Sequence, residues 1–145
     1  MSTRSRIAIE NEDGTCRSIY CHWDGYPGHN GKILLEEYSD REKLNHLIDL
    51  GNLSSLAPNI WPEDPMELSH TFEDPVEGVC VFSGRDRNLT GVEAQTHVDR
   101  DSIISDNEDG WEEFFYLYTL KDGWLYTGYN KIWATLTPEV ITVNA

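Results

Sequence analysis

The chain has 145 residues, 39% hydrophobic and 11% aromatic, and sets 26 acidic side chains against 11 Lys and Arg for a net charge of −15. That length suits one folded acidic domain over 1–145, and five Trp with seven Tyr are too much large apolar surface for a disordered acidic tail. The charge excludes ordinary binding to phosphate backbones, which takes Lys and Arg, and disfavours anionic membranes.

Ile7 and Ile9 alternate with polar neighbours and predict a half-buried strand. Asn11-Glu12-Asp13-Gly14 is a turn built on an Asp-Gly hairpin pair. Arg17 to Trp23 reads as the returning strand, with Ile19, Cys21 and Trp23 on one side and Tyr20, His22 and Asp24 on the other. Gly25 to Gly31, rich in Gly and carrying Pro27, is a loop. Ile33, Leu34, Leu35 and Tyr38 predict a short helix. Ser39-Asp40-Arg41-Glu42 has the form of a capping box, with Ser39 as N-cap and Glu42 at N3. It opens a second helix whose Leu44, Leu47 and Ile48 share a stripe and whose end falls at Gly51.

Ser54 to Glu77, with Pro58, Pro62, Pro65 and Pro75, is irregular. Gly78 to Phe82 reads as a buried strand, Arg85 to Asn88 as a turn, Val92 to Val98 as a further strand and Asp99 to Gly110 as an acidic loop. Glu113 to Leu120 is apolar on both faces and is the expected central strand. Lys121-Asp122-Gly123 turns it into Trp124 to Tyr129, completing a hairpin. Thr137-Pro138-Glu139 fits the start of a terminal helix, and Val140 to Val143 fits a strand equally well. The expected class is α+β: an antiparallel sheet with one or two helices, about residues 31–51, covering one face.

Cys16, Cys21, His22, His29 and Cys80 invite a metal reading, but no Cys-x-x-Cys pair exists and Cys16 and Cys21 fall on opposite faces of a strand. No metal, cofactor or catalytic residue is expected. Cys21 and His22 are adjacent and point apart, which does not make a nucleophile and its base. Pro27 to Lys32 comes close to a phosphate loop, yet Ile33 stands where the magnesium-binding hydroxyl belongs. A calcium loop from Ser105 would need Glu where Tyr116 stands. Glu36/Glu37, Glu112/Glu113 and Asp99/Asp101 read as a solvated face. The odd cysteine count and the polar opening, Ser2 to Arg6, predict a reducing cytoplasm and no export leader.

The negative charge is concentrated. Lys43 to Arg85 encloses no basic residue but holds Glu63, Asp64, Glu67, Glu73 and Asp74. A second tract carries Asp99, Asp101, Asp106, Glu108, Asp109, Glu112 and Glu113 with only Arg100 in reply. Duplex DNA carries one charge per ~1.7 Å of axis, and an edge of carboxylates offers a comparable field to a DNA-binding groove. Trp111, Tyr26 and Trp61 sit in or beside predicted loops and are the expected aromatic anchors, though each fits a core position equally well. These tracts predict a binding protein whose partner is basic and normally holds nucleic acid; the chain itself contacts neither nucleic acid nor membrane. A second class of function is a small-ligand or nucleotide pocket, or an enzyme, built from His22, Asp24, Arg85 and Arg87. A third is a structural homodimer.

Tyr20-Cys21-His22-Trp23-Asp24-Gly25-Tyr26-Pro27 is a distinctive run. With Gly31 to Leu35, Leu50 to Leu56, Gly78-Val79-Cys80 and Arg85-Asp86-Arg87, it resembles small proteins of bacteriophages and bacterial genomes. The resemblance implies phage or prophage origin and action in the host cytoplasm. It supplies no activity of its own; what that origin adds is the expectation that a small acidic phage protein inhibits a host defence protein, as anti-CRISPR and anti-restriction proteins do, some of which imitate DNA.

Overall fold

The computed structural model describes residues 2–62 and 70–143. The first hairpin forms as its sequence predicts. β1 (Arg4–Glu10) and β2 (Cys16–Cys21) pair antiparallel from Ser5–Cys21 to Glu10–Cys16. Gly14 takes a φ of +88° in the turn between them. β6 (Glu112–Tyr118) lies against β1 and is central, as its apolar faces require, but it runs parallel to β1, with Ile7 opposite Tyr116. β7 (Trp124–Thr127) returns antiparallel beside β6, and β8 (Ala134–Thr135) forms that edge.

On the other flank, β2 pairs antiparallel with β5 (Gln95–His97) and parallel, at Cys21–Leu53, with β3 (Leu53–Ser55), which pairs with β4 (Val81–Phe82). The class is α+β, but the sheet is mixed rather than antiparallel throughout. A strand apolar on both faces fits either direction. What sets the direction of β6 is the long return from β2, by way of β5, that brings it to β1 at the same end as Arg4. The expected strands at 78–82 and 92–98 are shorter than their sequences suggest, two and three residues.

Ile7, Ile9, Ile19, Cys21 and Tyr116 are buried with Leu34 of α1 (Lys32–Glu37) and with Leu44, Leu47 and Ile48 of α2 (Arg41–Asp49). These two helices occupy the expected stretch and cover the expected face. α2 opens on Asp40 rather than Ser39: the Asp40 carboxylate accepts from the Glu42 amide at 3.1 Å, while the Ser39 hydroxyl donates back to the Leu35 carbonyl. Ser39 thus closes α1 and leaves the cap to its neighbour.

Strand alternation sends Ala8, Cys16, Phe115 and Leu117 to the opposite face, so Cys16 and Cys21 do part. Ile103 packs on that second face from α3 (Arg100–Ser105), a helix where an acidic loop was expected. Asp99 caps it, accepting from the Ser102 amide at 2.9 Å and from its hydroxyl at 2.8 Å. A helix this short gives the apolar period no room to repeat, so charge dominated the sequence signal.

The terminal segment is helical, α4 (Pro138–Val143), not a strand. Among the described residues, no helix is long and apolar enough to cross a membrane.

Between β2 and α1, the chain coils through one π turn at Pro27–Gly31. Fully buried Asn30 ties this loop to the sheet: its Nδ2 donates to Ser5 Oγ, Cys21 Sγ and the Trp23 carbonyl. The buried Tyr116 hydroxyl donates to the Gly25 carbonyl at 2.6 Å. The ends of β1 and β2, where Arg4 and His22 stand, are thereby held in place.

Candidate functional site

Glu63, Asp64 and Glu67 lie outside the described residues. Glu73 and Asp74 are exposed in the segment before β4. The second tract divides into two sets. Asp99 caps α3, Asp106 accepts from His97 Nδ1 at 2.8 Å, and Glu112 pairs with Arg6 at 3.1 Å with only 5% of its side chain exposed. Glu112 is therefore part of the interior and presents no charge to a partner.

Asp101, Glu108 and Asp109 are exposed, and among the described residues they form no ion pair. Arg100, the only base in the tract, turns away to grip both carboxylate oxygens of Glu10 at 2.9 and 3.1 Å. Its side chain therefore forms no ion pair with the carboxylates of α3 and the following turn.

Trp111, two residues after Asp109, has 77% of its surface exposed. The Lys131 ammonium reaches the Glu112 carbonyl at 3.5 Å, which brings the turn after β7 alongside the Trp111 segment. That turn carries exposed Tyr129 and Ile132 on the rim of an open groove of about 350 Å³, floored by Phe114, Tyr126 and Ala134. Aromatic side chains ringed by charge are the composition that anchors protein interfaces. A second groove, about 640 Å³, runs between α1 and α4, lined by Lys32, Leu35, Glu36, Pro138 and Ile141.

Of the other two expected anchors, Trp61 is also exposed, at 51%, but makes contacts of its own. Trp61 stacks on His46, donates to its Nε2 at 2.9 Å and lies under the Arg85 guanidinium. Tyr26 is half-buried beside His29.

The expected pocket of His22, Asp24, Arg85 and Arg87 is only partly assembled. Arg85 is sandwiched between Trp61 and Phe82, bonded to Asp86 and to the carbonyls of Ile60 and Cys80. It holds the β4 turn. Asp24 is exposed, in the left-handed region at φ 56°. His22 accepts or donates at Nδ1 to the Tyr20 hydroxyl at 2.9 Å, and it feels both Arg4 and Arg87.

One constellation has no sequence signal. The Ser18 hydroxyl meets His97 Nε2 at 2.7 Å, and His97 Nδ1 meets Asp106 at 2.8 Å, the connectivity of a serine nucleophile with its base and orienting acid. Ser18 is wholly buried in mid-strand between Ala8 and Gln95, and its oxygen already accepts from Arg6 at 2.9 Å. Both flanking ladders occupy the backbone there, so no oxyanion hole stands open and no acyl group reaches the hydroxyl. The chain Glu112–Arg6–Ser18–His97–Asp106 instead stitches β6, β1, β2 and β5 to the end of α3.

Burial outweighs the Asp106 carboxylate at His97 and lowers its pKa from 6.5. A base held below its ordinary value contributes stability fully above pH 6.5 and loses it as pH falls through the lower folded value. The urea midpoint is expected to drop as pH falls below 6.5, and His97→Gln, neutral throughout, to reduce that slope. An unchanged slope would show that His97 does not govern it.

The thiols are similarly unsuited to chemistry: burial pushes Cys16 up to about 11 and Cys21 up to about 12, and raises Cys80. Among the described residues, no group of His, Cys, Asp and Glu is placed to hold a metal ion.

Compared with protein-family models, with curated proteins and with solved structures, the chain has no significant match.

Proposed function

We propose that this protein is a non-enzymatic inhibitor that docks on a basic, nucleic-acid-binding surface of another protein, with Trp111 as its anchor. The observation that carries this reading is Trp111 itself, 77% exposed and following closely in the chain on exposed Glu108 and Asp109, which with Asp101 form no ion pair among the described residues. A large aromatic side chain left in water, in an acidic stretch of chain, suits a cationic groove: the charges steer encounter and the ring holds the complex. The phage-like motif run gives the setting, a host defence protein as target.

The test is a pull-down from host lysate with wild-type protein and with a variant carrying Trp111→Ala, Asp101→Asn, Glu108→Gln and Asp109→Asn. A nucleic-acid-binding protein should be retained by the wild type, released by competing duplex DNA and lost in the variant. Retention of none, or equal retention by both proteins, rejects the reading.

A further inference from the structure

We propose that the outer side of β8 is a self-association edge, on which a second copy of this chain lays its own β8 antiparallel to form a two-fold dimer. The proposal needs nothing from the Trp111 reading. Ala134 pairs with Tyr126, and the Leu136 amide donates to the Trp124 carbonyl at 3.0 Å. In an antiparallel ladder the residue between two such pairs turns its N–H and C=O the other way, so Thr135 directs both outward. β8 ends the sheet, Ala134 and Thr135 are exposed, and no strand among the described residues lies beyond them.

Proteins guard the edges of their sheets with charge, proline or covering groups. The opposite edge is guarded. The Phe82 amide of β4 donates to the Asp86 carboxylate at 2.8 Å, and the Phe82 carbonyl accepts from the Asp86 amide at 3.0 Å. The neighbouring Cys80 carbonyl accepts from Arg85 and from His70, each at 3.0 Å. β5 pairs only with β2, and exposed Glu93 and Asp99 bracket it. β8 has neither device. Lys131, the one charged side chain between Gly123 and Pro138, is occupied: its ammonium lies 5.0 Å from the Phe115 ring centroid and 3.5 Å from the Glu112 carbonyl.

Charge selects the second copy as occupant. Gly123 to Pro138 is the longest stretch without Asp or Glu in a chain of net charge −15. Two such molecules repel wherever acidic faces meet, and this edge is built from the part of the sequence that has no acid. A nucleic acid finds a single lysine in that stretch, and a basic partner finds no carboxylate. What remains is an outward N–H and C=O, which an identical edge matches in both directions about a two-fold axis. Exposed Tyr129 and Ile132, with the groove over Phe114, Tyr126 and Ala134, add apolar surface at the same edge. Because each copy spends its unguarded edge in the contact, growth stops at two.

Sedimentation velocity of the wild-type chain, from micromolar to millimolar concentration, measures the association at ~0.15 M and ~1 M salt, where the screening length falls from ~8 Å to ~3 Å. A reversible monomer–dimer equilibrium is expected, tighter at the higher salt because the repulsion between copies is screened. Docking on a cationic groove weakens with salt instead, so the two readings fail separately. Ile132→Lys puts a charge on the edge, and Thr135→Pro removes the outward N–H without touching a bond to β7. Each should weaken the dimer at least about tenfold. Ile132 is exposed, so its variant stands even if Thr135→Pro disturbs β8. Val98→Lys, at an exposed apolar position beside β5, should leave the dimer constant unchanged. A monomer at every concentration and salt leaves the edge to another occupant and overturns the proposal. An unchanged constant in Ile132→Lys, an equal loss in Val98→Lys, assembly beyond two copies, or a dimer that weakens with salt overturns it as well.

Discussion

Gly51→Ala is expected to lower the unfolding free energy by about 2–5 kcal/mol, an unusually large effect for one added methyl. Gly51 follows α2 with a φ of +88°, a conformation that costs an L-residue roughly 1–2 kcal/mol. The added Cβ would also stand 2.5 Å from the Val92 carbonyl oxygen, a backbone atom that moves only with its chain. That carbonyl accepts from the Asn52 amide at 2.8 Å, and the Asn52 side chain in turn accepts from the Tyr20 amide. Displacing Val92 therefore loosens the join between the end of α2, the approach to β5 and the middle of β2. Gly14 supplies the control. It has the same φ of +88° but nothing within 4 Å of an added Cβ, so Gly14→Ala should lose only the conformational part. Urea unfolding of the two variants separates the terms. Equal losses would show that the contact with Val92 contributes nothing.

Local periodicity reached as far as its physics extends. The Asp13-Gly14 turn, the Leu44-Leu47-Ile48 stripe, the opposed Cys16 and Cys21 and the β6–β7 hairpin all follow from alternation or helical spacing within about ten residues. The parallel joins β1–β6 and β2–β3 do not, because strand direction depends on where a long connection returns. α3 escaped because its helical signal is one Asp cap and a pair of Ile inside a strongly acidic stretch.

The same division runs through the candidate site. Trp111, a loop aromatic that fits an anchor or the core from sequence alone, is exposed. Glu112, one residue on, looked identical in sequence; only the strand pairing that brings Arg6 to it makes it interior. Arg85 and Arg87 are two residues apart and read alike, yet one is sandwiched between rings and bonded to Asp86 while the other lies over the Phe72 ring with no carboxylate among the described residues. Ser18, His97 and Asp106 are brought together only by the pairing of β2 with β5.

Trp111→Ala is expected to weaken binding to the cationic partner by at least about 2 kcal/mol, some thirtyfold, without changing the fold. The two halves of that statement have separate causes. Trp111 is 77% exposed and contributes little to the interior, so its removal should leave the urea midpoint near the wild-type value. In a complex, the same ring would be the largest surface withdrawn from water, and its loss should appear as faster dissociation. Neutralising Asp101, Glu108 and Asp109 together should act on the other rate. These carboxylates are exposed, so the attraction they exert is felt at a distance and is screened over ~8 Å at physiological salt. Association of the triple variant should be slower than wild type at low salt and converge with it as salt rises, while dissociation changes little. Surface plasmon resonance on the partner captured by the wild-type protein measures both rates. Should Trp111→Ala slow association and leave dissociation untouched, the ring is not an anchor, and the acidic face would be acting through its field alone.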